Sequence, residues 1–282
     1  MIMATVYKYQ RTNNAGEISL HGTYEEAGSL DDISRKYPEG AYVTFRTYEG
    51  IKAFHLKDHI SRLINTLRVA TIDKQRLDND IRLALHTLFN EQNAGDHRVR
   101  LIVPFSDIST LFILVEETVS PGRQQYEHGV EVITAFYERL EPERKQTGFI
   151  KASEGLRRKI IPPVNEVLLV NHDGYILEGL SSNVFFVKGN AVFTAREGIL
   201  AGVTRKVVLE ACDDLAIQVH LAAAKLDEIS LYKEAFITST SRAVLPVVKI
   251  DGEQIGDGFP GQVTRKVMQG FAAKISAGLE EL

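Results

Sequence analysis

Two hydrophobic periods alternate along the 282-residue chain and predict a mixture of strands and helices. Over residues 41–48 apolar and polar positions alternate, which is typical of a β-strand. One face of that strand carries Ala41, Val43 and Phe45, and the other carries Tyr42, Thr44, Arg46 and Tyr48. Two faces of such different character suggest a strand that packs into a core on one side and lines a site on the other.

From Lys57 to Ala70 the period changes to 3.6, so an amphipathic helix is predicted there. Further helices are expected over 79–91, from residue 203 and from about residue 261. Further strands are expected over 99–103, 110–115, 130–136, 166–170, 175–177, 184–187, 191–194 and 235–238. Asp173-Gly174 and Gly189-Asn190 read as two-residue hairpin turns. Hairpins mixed with helices favour an α+β fold over a doubly wound parallel sheet.

The periodicity breaks over residues 116–123, which contain the pair Pro121-Gly122. We therefore predict a linker over 116–123, an N-terminal α/β domain over 1–119 and a C-terminal domain over 124–282. Both domains have an ordinary size.

Composition narrows the class of protein. Hydrophobic residues make up 44% and charged residues 25%, which is typical of a folded globular protein. The net charge of −4 argues against a protein that coats nucleic acid or an anionic membrane. The single Cys212 excludes an internal disulfide and a thiolate-rich metal site, and no metal site is predicted. Residues 1–12 lack the pattern of a secretory signal, and no apolar run is long enough to span a membrane, so a cytoplasmic location is expected.

The strongest chemical signal is Gly202-Val203-Thr204 at the start of a predicted helix. Glycine allows close approach of a ligand, and the first amides of a helix form an anion site. The turn Ser239-Thr240-Ser241 adds hydroxyl donors, and Arg62 adds a cation. The alternative is an ordinary N-cap at Thr204 and a solvated turn at 239–241.

A second signal is the stretch 175–183, in which Glu178 ends a strand and a Gly/Ser/Ser/Asn turn follows. Glu178 either faces solvent, as most glutamates do, or forms a hydrogen bond with a protonated ring nitrogen in a cleft.

In combination these segments resemble the fold-type IV (class IV) aminotransferases, which use pyridoxal 5'-phosphate. The family includes branched-chain and D-amino-acid aminotransferases, (R)-amine transaminases and aminodeoxychorismate lyase. The resemblance rests on five segments that occur in the family's order: 40–42, 59–63, 177–183, 200–205 and 238–252. It implies an α+β protein of two domains, with the cofactor in the cleft between them, and a homodimer.

The resemblance also implies a Schiff-base lysine a little over thirty residues before the glutamate. Lys145 lies 178 − 145 = 33 residues before Glu178, whereas Lys151 and Lys159 lie 27 and 19 residues before it. The context of residues 142–150 is similar to the lysine segment of some members. Lys145 is therefore expected to be the catalytic lysine.

Further roles follow from the resemblance. Glu178 would pair with the pyridine nitrogen. The other expected cofactor-binding residues, several of them around the phosphate, are Arg62, Ser182, Asn183, Gly202, Val203, Thr204, Ser239 and Thr240. Expected to line the substrate pocket are Tyr42, Arg46, Arg100 and Ser241, with Arg98 as an alternative to Arg100 for a substrate carboxylate.

Two departures concern the branched-chain group. No tyrosine follows the lysine, since the stretch reads Gly148-Phe149-Ile150, and Val43-Thr44 replaces the usual glutamate-glycine pair. The expected function is transfer of an amino group between a branched-chain-like or other aliphatic amino acid and an α-keto acid. The alternatives are a D-amino-acid or (R)-amine transaminase, aminodeoxychorismate lyase and, from another class, a non-catalytic protein that binds a phosphate-bearing ligand. Neither nucleic acid nor a membrane is an expected partner.

Overall fold

The structure, a computed structural model, describes residues 2–11, 16–69, 72–91 and 95–282. Its strands are β1 (Ile2–Arg11), β2 (Gly16–Ala27), β3 (Gly40–Tyr48), β4 (Lys52–Phe54), β5 (His97–Pro104), β6 (Thr110–Glu117), β7 (Val130–Phe136), β8 (Val164–Val170), β9 (Tyr175–Gly179), β10 (Asn183–Lys188), β11 (Ala191–Phe193), β12 (Gln218–His220), β13 (Ala224–Lys225), β14 (Glu234–Ser239), β15 (Ala243–Ile250), β16 (Glu253–Gln254) and β17 (Leu279–Glu281). Its helices are α1 (Leu30–Ser34), α2 (Leu56–Leu67), α3 (Lys74–Glu91), α4 (Arg123–His128), α5 (Thr147–Ala152), α6 (Glu154–Arg157), α7 (Val203–Asp214) and α8 (Gln262–Ala277), with a 3₁₀ helix at Leu226–Leu231.

The chain divides into two compact units. The first unit contains Met1–Val119, Arg144–Ala152 and Gly278–Leu282, and the second contains Ser120–Glu143 and Ser153–Ala277. The sequence predicts a continuous second domain from residue 124 onward, whereas two segments of that range belong to the first unit. One of them, Arg144–Ala152, carries Lys145.

The first unit is built on a sheet in the order β17-β4-β3-β5-β6-β1-β2. Strand β3 lies inside this sheet because it pairs with both β4 and β5. Its odd-numbered residues Ala41, Val43 and Phe45 are fully buried against α2 and α3 in the larger hydrophobic core. Tyr42, on the opposite face, packs in a separate apolar cluster with Ile150 of α5. The predicted core-facing side of this strand is confirmed.

The second unit is a β-barrel. Strands β10-β14-β15-β7-β8-β9 follow one another in the sheet, and β9 pairs back to β10, which closes the ring. Each strand of the ring contributes residues to one apolar cluster, for example Val132, Leu168 and Ile176. The ring closes where Glu178 of β9 lies opposite Asn183 of β10.

The predicted α+β class is confirmed, and most predicted strands and helices occur within a few residues of their expected bounds. The predicted helix over 57–70 is α2, although Ala70, like Met1 and Thr12, lies outside the described residues. The turn at Gly189-Asn190 is confirmed as a two-residue connection. The prediction of a two-residue turn at Asp173-Gly174 is wrong, because four residues connect β8 to β9. Within this connection the Asn171 Oδ1 atom accepts hydrogen bonds from the Asp173 and Tyr175 N–H groups. No helix in the described part of the chain is long and apolar enough to cross a membrane.

Candidate active site

Lys145 lies beside strand β3 in the first unit. The Tyr42 N–H donates to the Lys145 carbonyl at 2.9 Å, and the Gly40 N–H donates to Thr147 Oγ1 at 3.0 Å. These bonds hold the segment before α5 along the strand and place the Lys145 Nζ atom 4.8 Å from the centroid of the Tyr42 ring. The structure therefore brings together the predicted catalytic lysine and the predicted pocket-lining tyrosine.

Arg62 lies on α2 one turn after the buried His59. Arg62 Nη2 lies 3.2 Å from His59 Nδ1, and a guanidinium has no acceptor, so His59 must accept this hydrogen bond as a neutral imidazole. Burial, followed by the neighbouring Arg62 and Lys145 cations, holds the pKa of His59 well below its usual value near 6.5. Within the described residues the buried Arg62 Nε atom has no hydrogen-bond partner. A buried donor in this state favours an acceptor such as a phosphate oxygen.

Burial lowers the pKa of Arg62 to about 10, while the nearby Tyr42 and Asp58 act in the opposite direction. Arg62 nevertheless remains a cation at neutral pH. The first unit thus presents two positive side chains, Arg62 and Lys145, close to one neutral histidine. This charge balance suits an anionic ligand.

The other predicted pocket arginines differ in their surroundings. Arg100 Nη1 contacts Asp31 Oδ1 at 2.7 Å and Ser34 Oγ at 2.8 Å, so Arg100 forms a partly buried ion pair. Arg98 pairs with the buried Glu116 on the neighbouring strand. Arg46 lies 3.6 Å from Asp96 Oδ2, a longer contact than that of Arg100.

In the second unit, Glu178, Asn183 and Thr238 form a row across three adjacent strands. Asn183 of β10 lies opposite Glu178 of β9 on one side and Thr238 of β14 on the other. All three are buried. Since β14 and β15 are joined by the loop 240–242, the predicted turn Ser239-Thr240-Ser241 begins directly beyond this row.

Glu178 does not face solvent, because its side chain is only 3% exposed. Its Oε1 accepts from Arg139 Nη1 at 3.0 Å, and its Oε2 accepts from the Leu200 N–H at 2.9 Å. Arg139 favours the ionised carboxylate. A carboxylate oxygen has two lone pairs, so a carboxylate can accept more than one hydrogen bond at each oxygen.

The Leu200 peptide is held from both sides. Its N–H donates to Glu178, and its carbonyl accepts from Asn183 Nδ2 at 2.9 Å. Two residues later Gly202 is the N-cap of α7 and has no side chain to cap the amides of the first turn. A Cβ on Gly202 would lie 2.3 Å from Asn183 Oδ1, so only glycine fits the observed packing. Asn183 therefore fixes the start of α7, which begins after Gly202 and not at Thr204.

The turn that follows Glu178 contains Ser181 and Ser182. Both hydroxyls donate to Glu166 Oε2, at 2.7 and 3.0 Å respectively. Ser239, Thr240 and Ser241 are half-buried, which does not match a fully solvated turn.

Comparison with known proteins decides the family. The family model described as "Amino-transferase class IV" matches residues 40–250, which include the segment around Lys145, the turn after Glu178 and the loop 240–242. The chain belongs to the class IV aminotransferases. This aminotransferase is 30% identical over 268 residues to a D-alanine aminotransferase from Bacillus licheniformis, covering 86% of this chain and 90% of that protein.

Two solved structures are similar to this aminotransferase in fold. One is a putative branched-chain amino acid aminotransferase from Thermotoga maritima, with a TM-score of 0.76, 25% identity and 96% of each chain covered. The other is a T.th. branched-chain amino acid aminotransferase with pyridoxamine 5'-phosphate, with a TM-score of 0.76, 21% identity and 98% of each chain covered. As a member of the class IV family, the chain is an aminotransferase of a family that uses pyridoxal phosphate.

The residues of the aminotransferase fit this cofactor. Arg62 has a buried donor without an acceptor among the described residues, and the uncapped start of α7 presents main-chain amides. Glu178 adds a buried carboxylate, a group that pairs well with a protonated ring nitrogen. The sequence expectations did not include Arg139, Glu166, His59 or Arg242. His59 contacts Arg62 three residues away on α2, a spacing that a helical pattern indicates. Arg139, Glu166 and Arg242 act on residues far away in the chain, and no local pattern marks such contacts.

Proposed function

We propose that the aminotransferase moves an amino group between a small aliphatic amino acid and an α-keto acid, with Lys145 as its catalytic residue. The observation that carries this proposal is the position of the Lys145 amine, which lies over the Tyr42 ring and, like Arg62, acts on the buried His59. Of the three lysines considered from the sequence, Lys145 is the one that has such a cationic and aromatic environment among the described residues.

Two sets of residues would hold the cofactor. We assign the phosphate to Arg62, to the amides of Val203 and Thr204, and to the loop around Thr240. We assign the ring nitrogen to Glu178, which Arg139 and the Leu200 amide orient. Asn183 is assigned an indirect role, because its amide holds the Leu200 carbonyl.

When bound, pyridoxal phosphate supplies an aldehyde that condenses with amines and a ring that withdraws electrons from the substrate α-carbon. Lys145 would hold the cofactor through its amine, and the same amine would serve as the base that moves the proton of the substrate α-carbon. Glu178 keeps a proton on the ring nitrogen. Tyr42 lies beside the Lys145 amine, with its ring centroid 4.8 Å from Nζ.

The amino-acid substrate has two candidate classes, a branched-chain amino acid and a D-amino acid. The fold neighbours are branched-chain enzymes, and the 30% identical relative is a D-alanine aminotransferase. The sequence also departs from the branched-chain group at Val43-Thr44 and Phe149. These departures favour a D-amino acid as the second candidate.

The test is the absorption spectrum of the purified enzyme with pyridoxal phosphate, before and after addition of L- and D-amino acids. The wild type and the matched control Lys151→Ala, an exposed lysine of the same segment, are expected to show a visible band, and Lys145→Ala is expected to lack it. Bleaching by one enantiomer series identifies the donor class. A band retained in Lys145→Ala would reject this lysine, and turnover without any keto-acid acceptor would favour a lyase.

A further inference from the structure

Glu166 of β8 is a fully buried carboxylate that accepts hydrogen bonds from several parts of the second unit. Its Oε2 accepts from the Ser181 N–H at 3.2 Å, from the hydroxyls of Ser181 and Ser182, and from Arg242 Nη1 at 2.8 Å. Its Oε1 accepts from the Val167 N–H at 3.0 Å. A carboxylate with this many donors is well satisfied despite its burial.

Glu166 is ionised. Burial raises its pKa, but the Arg242 cation and the hydrogen bonds from Ser181 and Val167 outweigh burial and leave the pKa below its usual range. An ionised carboxylate only accepts hydrogen bonds, so each serine hydroxyl must donate its single hydrogen bond to Glu166. Towards any ligand, Ser182 therefore offers lone pairs and not a donor.

Arg242 connects this network to the loop 240–242. It directly follows Thr240 and Ser241, and its Nη1 also lies 3.1 Å from the Ser181 hydroxyl. Its carbonyl accepts from the Tyr126 hydroxyl at 2.9 Å, which anchors the loop to α4 as well. The side chain of Arg242 is about one-fifth exposed, at 20%.

The turn 179–182 packs tightly on the Glu166 side chain. The Gly179 N–H donates to the Ser182 carbonyl at 2.8 Å and closes the turn. A Cβ on Gly179 would lie 2.3 Å from Ser182 Oγ and 2.8 Å from Glu166 Cγ. The position of this turn therefore depends directly on where Glu166 lies.

We propose that Glu166 and Arg242 are positioning residues that hold the turn 179–182 and the loop 240–242 together, and so set how tightly the enzyme retains pyridoxal phosphate. The proposal rests on the function proposed above. It assigns a role to two residues that do not themselves bind the cofactor.

The experiment measures the dissociation constant of pyridoxal phosphate by absorption titration for Arg242→Met, Ser181→Ala and the double variant. Arg242→Met is expected to weaken binding about tenfold, the equivalent of one lost hydrogen bond to a charged group. Since both residues act through Glu166, the same change in the Ser181→Ala background is expected to weaken binding less than threefold. Arg123→Met is the matched control, because Arg123 pairs only with Glu127 on an exposed face of the unit among the contacts described.

A second variant, Glu166→Gln, keeps the shape of the side chain and removes its charge, with the partly exposed Glu154→Gln as control. It is expected to weaken cofactor binding at least threefold. The proposal is overturned if Arg242→Met and Glu166→Gln lower the melting temperature but change the dissociation constant less than threefold, or if the effects of Arg242→Met and Ser181→Ala multiply. If the wild type itself shows no visible band with the cofactor, the proposed function is rejected, and the role of these two residues is rejected with it.

Discussion

Replacement of Gly202 by alanine tests how the start of α7 is held. Gly202 has a φ of −66°, which alanine adopts without strain, so the backbone conformation alone does not require glycine. The new methyl group would instead lie 2.3 Å from Asn183 Oδ1, where ordinary contact begins at 3.4 Å. Asn183 must therefore move by about 3.4 − 2.3 = 1.1 Å.

A movement of this size breaks the 2.9 Å hydrogen bond from Asn183 Nδ2 to the Leu200 carbonyl. The loss of that bond costs about 1 kcal/mol, and crowding of a tightly packed site costs about 1–3 kcal/mol. Together these costs predict that Gly202→Ala lowers the free energy of unfolding by about 2–4 kcal/mol. Displacement of the start of α7 is expected to weaken binding of pyridoxal phosphate by roughly tenfold or more, about 1.4 kcal/mol or more of binding free energy.

Gly122 offers a matched control for this change. It is the N-cap of α4 in the same unit, its φ is −69°, and a Cβ there would meet nothing within 4 Å. The ordinary cost of losing a glycine N-cap is thus common to both variants. The assay is absorption titration with the cofactor, together with thermal unfolding of each variant. Equal behaviour of Gly202→Ala and Gly122→Ala would refute the argument. So would a full effect of Gly202→Ala in an Asn183→Ala background, where the clash no longer exists.

Three further changes test the site. Arg139→Met leaves Glu178 buried without this cation and is expected to lower both the activity and the free energy of unfolding, the latter by about 3 kcal/mol. Arg139→Lys restores a cation and should recover part of both losses. His59 is neutral in the folded chain, so its protonation favours the unfolded chain. The free energy of unfolding is therefore unaffected by His59 above pH about 6.5, and below that pH it falls by up to roughly 1.4 kcal/mol per pH unit. His59→Gln keeps an acceptor for Arg62 and should flatten that slope in denaturation between pH 5 and 7.5; an unchanged slope would reject the assignment. Arg46→Ala is expected to raise the KM for at least one α-keto acid, and full activity with every keto acid tested would remove Arg46 from the substrate site.

The sequence by itself determined the local elements and the family. Alternation in 41–48 places Tyr42 and Val43 on opposite faces, because successive side chains of a strand point to opposite sides whatever the strand packs against. Gly202 before an amphipathic segment likewise indicates a helix start, and the order of short segments indicates the class IV family. These signals are local or depend only on order along the chain.

Only the tertiary structure decided which groups act on one another. Lys145 belongs to the first unit because the segment around it pairs with Ala41, more than a hundred residues earlier in the chain. The ion pairs of Glu178 with Arg139 and of Glu166 with Arg242 span 39 and 76 residues respectively. Buried charges need partners wherever the fold places them, and closure of a barrel brings together strand ends that no sequence spacing predicts.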